Sequence, residues 1–252
     1  MSDPRFEIRP FPALRRIVVD AGRATRRVPV IHGLVEADVT EAMRLLAGSD
    51  ATLTAFVASA VARTAAEMPE VHAVRDLRGR LAIPVGVDLN LSIEVEVDGG
   101  SFPMNHVVRD AHLRSPAELA REVGGIKTAP DTSATAGMEG AARLFVRLPG
   151  LVRTTALRLL RRLPGTQRRL IGTVGVTSVG MFGRGGGWGL ALPIHPLTVV
   201  VGGLADRPAG DGSVRRMLHL TMSFDHDVVD GAPAARFTAR VRDRLQEADG
   251  LP

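Results

Sequence analysis

One stretch near the C-terminus decides the interpretation of this 252-residue chain: Ser223-Phe224-Asp225-His226-Asp227-Val228-Val229-Asp230-Gly231. A β-strand is predicted before it over 215–223, and a helix after it, from about Ala232 to Gln246. A histidine at such a junction has a firmly held backbone and an exposed ring. Because imidazole titrates near neutral pH, His226 could remove a proton from a thiol or a hydroxyl. The short pattern alone fits a hydrogen-bonded structural histidine equally well.

The pattern outside this stretch predicts a layered α/β (α+β) fold in a single domain, residues 1–252. Hydrophobic alternation and β-branched residues predict strands over 30–37, 91–97, 102–109, 172–179, 197–204 and 215–223. Capping residues and apolar periodicity predict helices over 12–27, 40–47, 52–68, 115–123 and 141–163, the last broken at Pro149-Gly150. Much of the sheet is therefore expected from the later part of the chain.

Composition excludes several classes of function. Cysteine is absent, so disulfides, thiolate catalysis and cysteine-based metal sites are excluded. The seven histidines are scattered, without clustered carboxylates, which argues against a metal site. Aromatic residues make up 4%, too few for base-stacking platforms, so we expect no nucleic-acid partner. The start lacks the pattern of a signal peptide, and we expect a cytoplasmic protein.

Four segments resemble one family in the same order. The run Asp225–Ala232 with the following Ala234–Phe237 resembles the C-terminal motif of the acyltransferase component of 2-oxoacid dehydrogenase complexes. The segments 36–41, 172–183 and 193–202 resemble its other strands. The same His-x-x-x-Asp-Gly core occurs in chloramphenicol acetyltransferase. The resemblance implies that enzyme's fold, a two-layer sandwich with helices on one face of a mixed sheet, and acyl transfer with coenzyme A as the acyl-CoA substrate, without metal.

The resemblance also implies catalytic roles. His226 would be the general base, and the hydroxyl of Thr177 would stabilise the tetrahedral oxyanion, with the adjacent Ser178 left as an alternative donor. In the family these two groups meet across a subunit interface, so a homotrimer or a larger trimer-based assembly is implied. Thr177 could also be only a β-forming residue of its strand.

Supporting residues follow from the same resemblance. Asp230 would be mainly structural and would pair with an arginine of the first helix, either Arg15 or Arg16. Gly231 would supply a turn conformation that a side chain disfavours.

A substrate channel is expected beside this site. The glycine-rich run Gly183–Gly189 lacks the Lys-Ser/Thr ending of a phosphate loop and predicts a flexible hairpin. Its Trp188 is a candidate channel residue, together with Ser178 and His195. The position of His195 between Ile194 and Pro196 equally fits a structural role.

Two features depart from the family. No lipoyl domain, lipoyl lysine or subunit-binding domain is found before the catalytic part, so a free-standing acyltransferase, or a core whose lipoyl domain is supplied in trans, is expected. A catalytically inactive scaffold of the same fold remains an alternative. Another is an enzyme like peptide-synthetase condensation domains, although Asp225 stands where those usually have a second histidine.

The second departure is a helical insertion at about 141–169, in which leucines alternate with arginines. Basic amphipathic helices bind membrane surfaces or acidic partners such as carrier proteins. The same composition fits a helical flap that packs on the domain and exposes its arginines to solvent. We expect that such a flap would shape a pocket for a lipid-like or carrier-bound acyl group.

Overall fold

The computed structural model describes residues 6–13, 15–97, 100–129, 139–179 and 185–252. The helices in these ranges are α1 (Arg15–Thr25), α2 (Thr40–Leu46), α3 (Leu53–Glu67), α4 (Pro116–Thr128), α5 (Glu139–Arg147), α6 (Gly150–Leu160), α7 (Pro164–Ile171) and α8 (Gly231–Gln246). The strands are β1 (Val30–Asp38), β2 (Val74–Arg75), β3 (Leu81–Ala82), β4 (Leu89–Val97), β5 (Gly100–Val108), β6 (Val174–Ser178), β7 (Leu197–Pro208) and β8 (Val214–Asp225). None of these helices is long and apolar enough to span a membrane.

Six of the described strands form one mixed sheet in the order β1-β8-β7-β6-β4-β5. β6 runs parallel to both β4 and β7, whereas the remaining neighbours are antiparallel. The parallel connection between β4 and β6 is long because it contains β5 and helices α4 to α7. The mixed α/β sheet predicted from the sequence is therefore confirmed.

One face of the sheet carries the apolar core. On β8 the alternating residues Leu218, Leu220, Met222 and Phe224 are fully buried, as alternation in a strand requires. They pack in one hydrophobic cluster with residues of α3 and α8, where Phe237 meets the Phe224 ring edge-on at 5.7 Å. Burial of such aromatic and aliphatic side chains stabilises a fold by roughly 1.5–3 kcal/mol each.

The opposite face is polar but also largely buried. It carries His219, Thr221 and Ser223 on β8. The start of the described glycine-rich run lies against this face, because the N–H of Gly203 donates to the carbonyl of Gly187. A Cβ at Gly202 would lie 2.2 Å from that carbonyl oxygen, so the approach requires glycine. Glycines on both segments therefore let the chain cover the strand.

Two local predictions are corrected. The helix expected to stop before Gly124-Gly125 continues as α4 to Thr128. A capping box formed by Ser115 and Glu118 starts it, and buried Ile126 anchors its far end, which offsets the roughly 1 kcal/mol cost of each helical glycine. The helix predicted to end at residue 163 is followed by a further helix that was not predicted, α7, with Pro164 at its first position. Residues 128–140, rich in Thr, Ala, Ser and Gly, predict a loop, and most of it lies outside the described residues.

Candidate functional site

His226 follows directly after β8, in the turn that joins this strand to α8. Its side chain is 41% exposed, and its Nδ1 lies 3.7 Å from Oδ1 of Asp230. The ring is therefore open to a ligand, whereas the strand before it is buried.

The backbone of this turn is held at several points. The His226 N–H donates to the carbonyl of Pro29, and the Asp225 N–H donates to that of Pro196. The N–H groups of Val228 and Val229 both donate to the carbonyl of Asp225. These bonds fix the direction in which His226 leaves the sheet. Gly231 is the first residue of α8, with open space around its α-carbon and without the left-handed backbone conformation that favours glycine, so the special turn conformation expected there is not formed.

The pairing expected between Asp230 and Arg15 or Arg16 is not formed in the described part of one chain. Asp230 is 89% exposed, and Arg15 and Arg16 are exposed on the first turn of α1. The carboxylate that α1 turns inward is Asp20, which is fully buried and binds Nε of Arg153 at 2.5 Å. The first helix is thus anchored through its aspartate instead of its arginines.

Thr177 and Ser178 end strand β6 and line a pocket of ≈ 700 Å³. By strand alternation Ser178 shares the helix-side face with Val176, and Thr177 faces the opposite side. The pocket also contacts Thr54 at the start of α3 and Lys127 near the end of α4. The side chain of Thr177 is half-buried.

One chain does not bring Thr177 and His226 together. Thr177 pairs with Val200, and Val200 pairs with Thr221, five residues (226 − 221) before His226. A strand rises about 3.3 Å per residue, and neighbouring strands lie about 4.8 Å apart. The two residues are therefore roughly 19 Å apart across the sheet, far beyond hydrogen-bonding reach.

Trp188 is anchored on the polar face of the sheet. Its ring stacks on His219 with centroids 4.0 Å apart and planes within 4°. The Gly187 N–H donates to Nδ1 of His219, and the Trp188 indole N–H donates to the Val35 carbonyl at 3.4 Å. The tryptophan is still partly exposed, and its role in a channel stays a prediction.

His195 is buried inside the fold. Its Nε2 lies 2.7 Å from the carbonyl oxygen of Ile171, and the ring fills the space beside Gly175, where a Cβ would lie 2.7 Å from its Nδ1. Burial lowers the pKa of His195 to about 4, outweighing its hydrogen bond to the Ile171 carbonyl. A neutral ring that donates from Nε2 fits this position, and contact with a substrate stays a prediction.

Comparison with known proteins matches the region of this motif. Residues 170–251 match the model for the catalytic domain of 2-oxoacid dehydrogenase acyltransferases. The chain is 27% identical over 248 residues to the lipoamide acyltransferase component of the branched-chain alpha-keto acid dehydrogenase complex of Pseudomonas aeruginosa, covering 92% of this chain and 50% of that protein. The C-terminal part of the chain is therefore similar to the catalytic domain of this acyltransferase family.

A second curated relative is similar to this chain over a shorter region. The chain is 33% identical over 85 residues to the dihydrolipoyllysine-residue acetyltransferase component of the pyruvate dehydrogenase complex of Corynebacterium glutamicum, covering 31% of this chain and 13% of that protein. The chain therefore spans half or less of the length of these two curated relatives.

Solved structures show the family fold over nearly the whole chain. Azotobacter vinelandii dihydrolipoamide acetyltransferase superposes with a TM-score of 0.70 at 22% identity, covering 98% of this chain and 93% of that one. That structure belongs to a study of a serine, a histidine and an asparagine in its catalytic mechanism. Chloramphenicol acetyltransferase superposes with a TM-score of 0.54 at 14% identity, covering 95% and 98%. The predicted fold class is confirmed.

Three arginines of the region predicted as an insertion bind carboxylates of the first helix and of the sheet, and the sequence did not single them out. We define residues 139–171, which contain α5 to α7, as the arginine-rich segment. In it Arg153 binds Asp20 of α1, Arg161 binds Asp225 before His226, and Arg168 binds Asp88 at the start of β4. Asp225, which looks like a turn or surface residue in the sequence, is almost buried.

The outer face of the arginine-rich segment is apolar and basic. Leu144, Leu151 and Leu159 are exposed there, beside exposed Arg147 and Arg158. The segment thus combines a packed inner face with an exposed amphipathic one. Its contact with a membrane surface or a carrier stays a prediction.

The last feature of the site concerns possible metal ligands. The described ranges contain no group of three or more His, Asp or Glu side chains placed to hold an ion. The chemistry that the described groups offer is acid–base chemistry at His226 and hydroxyl donation at Thr177 or Ser178.

Proposed function

We propose that this chain is an acyltransferase catalytic domain that moves an acyl group between coenzyme A and a second thiol, hydroxyl or amine. The observation that carries the proposal is the exposed His226, held by backbone bonds at the end of a buried strand, inside the region that matches the acyltransferase model. A general base must be reachable by its substrate and fixed in direction, and His226 meets both conditions.

The proposed reaction starts with proton transfer from the attacking thiol to the imidazole of His226. The thiolate attacks the thioester carbonyl, and the negative charge moves to its oxygen. The hydroxyl of Thr177 donates a hydrogen bond to this oxyanion, and a donor of this type is typically worth about 10²–10³ in rate. When the intermediate collapses, the leaving thiolate takes the proton back from the imidazolium, so the base is regenerated.

The distance between the two groups supports a site shared between subunits. At roughly 19 Å, Thr177 cannot reach an intermediate formed at His226 of the same chain. A cyclic assembly places different surfaces of neighbouring copies against each other, so His226 of one copy can meet Thr177 of the next. We propose a homotrimer or a trimer-based assembly with such sites.

The names of the relatives support a thiol acceptor. One curated relative is named a lipoamide acyltransferase component, and we propose a dihydrolipoyl group as one acyl partner of this chain. We propose that coenzyme A binds in the pocket beside Thr177 and Ser178, because this pocket is large and the cationic Lys127 is among its lining residues. An alcohol or an amine remains possible as an acceptor in the same geometry.

Activity is tested by a donor screen followed by one substitution. Acyl-CoA donors of different chain length are incubated with dihydrolipoamide, and free coenzyme A is separated from acyl-CoA by chromatography. In His226→Ala we expect kcat to fall by at least about 10²-fold, with an unchanged unfolding midpoint because the side chain is exposed. Turnover equal to the parent protein would refute the mechanism, and no turnover with any donor would favour the inactive scaffold.

Subunit sharing is tested by mixing two inactive variants. His226→Ala and Thr177→Ala chains are unfolded together in equal amounts and refolded. If sites form between copies, about one quarter of the sites in random trimers combine an intact His226 with an intact Thr177, and activity returns to that level. Thr177→Ala mixed with itself is the control. A mixture as inactive as its parts would mean that each site comes from one chain.

A further inference from the structure

The carboxylate of Asp225 connects the motif turn, residues 223–231, to the arginine-rich segment. One oxygen, Oδ1, accepts the N–H of Asp227 at 3.0 Å and so closes the turn around His226. The other, Oδ2, accepts from Nη2 of Arg161 at 2.7 Å. Both side chains are largely buried, with 17% of Arg161 and 11% of Asp225 exposed. The ion pair therefore involves the residue that directly precedes the exposed histidine in the sequence.

Arg161 reaches this position from a helix that is itself held in place. It follows the last residue of α6, and its backbone N–H still bonds to the helix carbonyl of Leu157. Two turns earlier, Arg153 ties α6 to α1 through buried Asp20, and it also donates to the carbonyls of Val146 and Leu148. The guanidinium at the end of α6 is thus presented to Asp225 by a fixed support.

The pair is costly to form and gains little as a stabilising contact. Burial lowers the pKa of Arg161, and the charge of Asp225 opposes this shift. A buried ion pair often contributes little net stability, because desolvation offsets the attraction. What such a pair does supply is a defined position, since the planar guanidinium holds a carboxylate in one geometry.

From this geometry we propose that Arg161 is a positioning residue for His226, acting through Asp225. It holds the Asp225 carboxylate in the orientation that closes the turn, and it neutralises the charge next to the imidazole. The inference rests on the proposed function of His226 as the base. The arginine-rich segment thereby takes part in the site through its packed inner face, independently of any role of its exposed outer face.

Several other charges surround the same turn. Asp227 and Asp230 lie on the turn itself, and Asp230 is the carboxylate at 3.7 Å from the ring. Arg75 on β2 and Arg162 after α6 line a small cavity together with Arg161, Asp225 and Asp227. His195, whose charged form Arg161 disfavours, is buried and neutral. Loss of Arg161 therefore leaves the three carboxylates of residues 225–230 with fewer compensating cations.

The test distinguishes an effect of charge from a structural effect by the direction in which the titration midpoint of His226 moves. Without Arg161, the uncompensated Asp225 favours the protonated imidazole, so in Arg161→Gln the ring of His226 should titrate about 0.5–1 pH unit higher. In Asp225→Asn, the uncompensated Arg161 should move the midpoint in the opposite direction. The double variant should return close to the parent protein. A purely structural role would not give opposite shifts.

The measurement is an NMR titration of the histidine ring signals of the full chain, with the His226 signal identified by its loss in His226→Gln. In parallel, the pH dependence of kcat/KM is measured with the acyl-CoA donor found in the screen. Arg161→Gln should lower kcat/KM about 3–10-fold near about pH 6, and less near about pH 8.5, since only the base form is active. Arg161→Lys, which keeps the charge, should recover the midpoint. Arg158→Gln, at an exposed arginine of α6, should match the parent protein.

Midpoints of Arg161→Gln and Asp225→Asn within about 0.2 pH unit of the parent protein would overturn the proposal. So would an equal loss of rate at every pH. If Arg161→Gln does not fold, Asp225→Asn and Arg161→Lys decide by the same midpoints. The titration does not depend on turnover, so an inactive protein in which the midpoints move would refute the proposed function and leave the role of Arg161 standing.

Discussion

The motif turn, residues 223–231, and the arginine-rich segment are built in opposite ways. The turn is held mainly by backbone bonds, and its histidine can be recognised from a few neighbouring residues. The segment is held by three arginines that reach aspartates on α1, just before β4, and at the end of β8. In sequence these arginines cannot be distinguished from the exposed ones beside them. A few neighbouring residues therefore suffice to single out the histidine of the turn as a candidate, whereas in the segment only the fold separates inward from outward arginines.

The largest expected effect is a loss of stability when the anchor of the arginine-rich segment on α1 is removed. Arg153→Met removes the close guanidinium partner of the fully buried Asp20, whose carboxylate is then left with the largely exposed Arg23, 3.6 Å away. Removal of one partner of a buried pair typically costs about 3–5 kcal/mol, because the remaining charge cannot be solvated. We expect a loss of this size in the free energy of unfolding, measured by urea denaturation.

Two matched variants decide whether the charge is the cause. Arg158→Met, on the exposed side of the same helix, should change the free energy of unfolding by no more than about 0.5 kcal/mol. Asp20→Leu combined with Arg153→Met should recover most of the loss, since no unpaired charge remains. Equal losses in Arg153→Met and Arg158→Met would show that α6 is not clamped through Asp20.

A second prediction concerns histidines inside the fold, in contrast to the exposed one in the turn. Burial lowers the pKa of His72 and of His195 to about 4 each. In the unfolded chain both titrate near the ordinary value of about 6.5. Between these values the unfolded state binds more protons, so the folded state loses stability as pH falls. Each histidine should cost about 2 kcal/mol between about pH 7 and about pH 5.

The free energy of unfolding measured at several pH values in this range tests the prediction. His72→Gln and His195→Gln should each flatten the pH dependence by about half, and the double variant should remove most of it. Carboxylates contribute little in this window, because those with shifted pKa, such as Asp88, are lowered from already acidic values. A slope that survives in the double variant would exclude the two histidines as its source.

The sequence predicted the parts of the structure that depend on short-range patterns. Alternation placed β7 and β8, and the family motif placed His226 at a strand end. The sequence did not predict Asp225 as an anchor, because its partner Arg161 lies 64 residues earlier (225 − 161). The buried pair of Asp20 and Arg153 was not predicted either, because these residues lie 133 positions apart in the sequence. Long-range pairing is what local patterns cannot encode.

The smallest expected effect compares two carboxylates of the motif turn. Asp225 is almost buried and bonded to Arg161, whereas Asp230 is exposed and, in the described part of the chain, contacts His226 at 3.7 Å. Asp230→Asn should therefore change the free energy of unfolding by no more than about 0.5 kcal/mol, against about 1–3 kcal/mol for Asp225→Asn, which leaves a desolvated arginine. Urea denaturation at low and at high protein concentration measures both. The contrary result would be that Asp230→Asn lowers the free energy of unfolding by more than about 1 kcal/mol, with a loss that grows with protein concentration. This result would mean that Asp230 pairs with Arg15 or Arg16 of a neighbouring copy, because by mass action only contacts between copies depend on concentration.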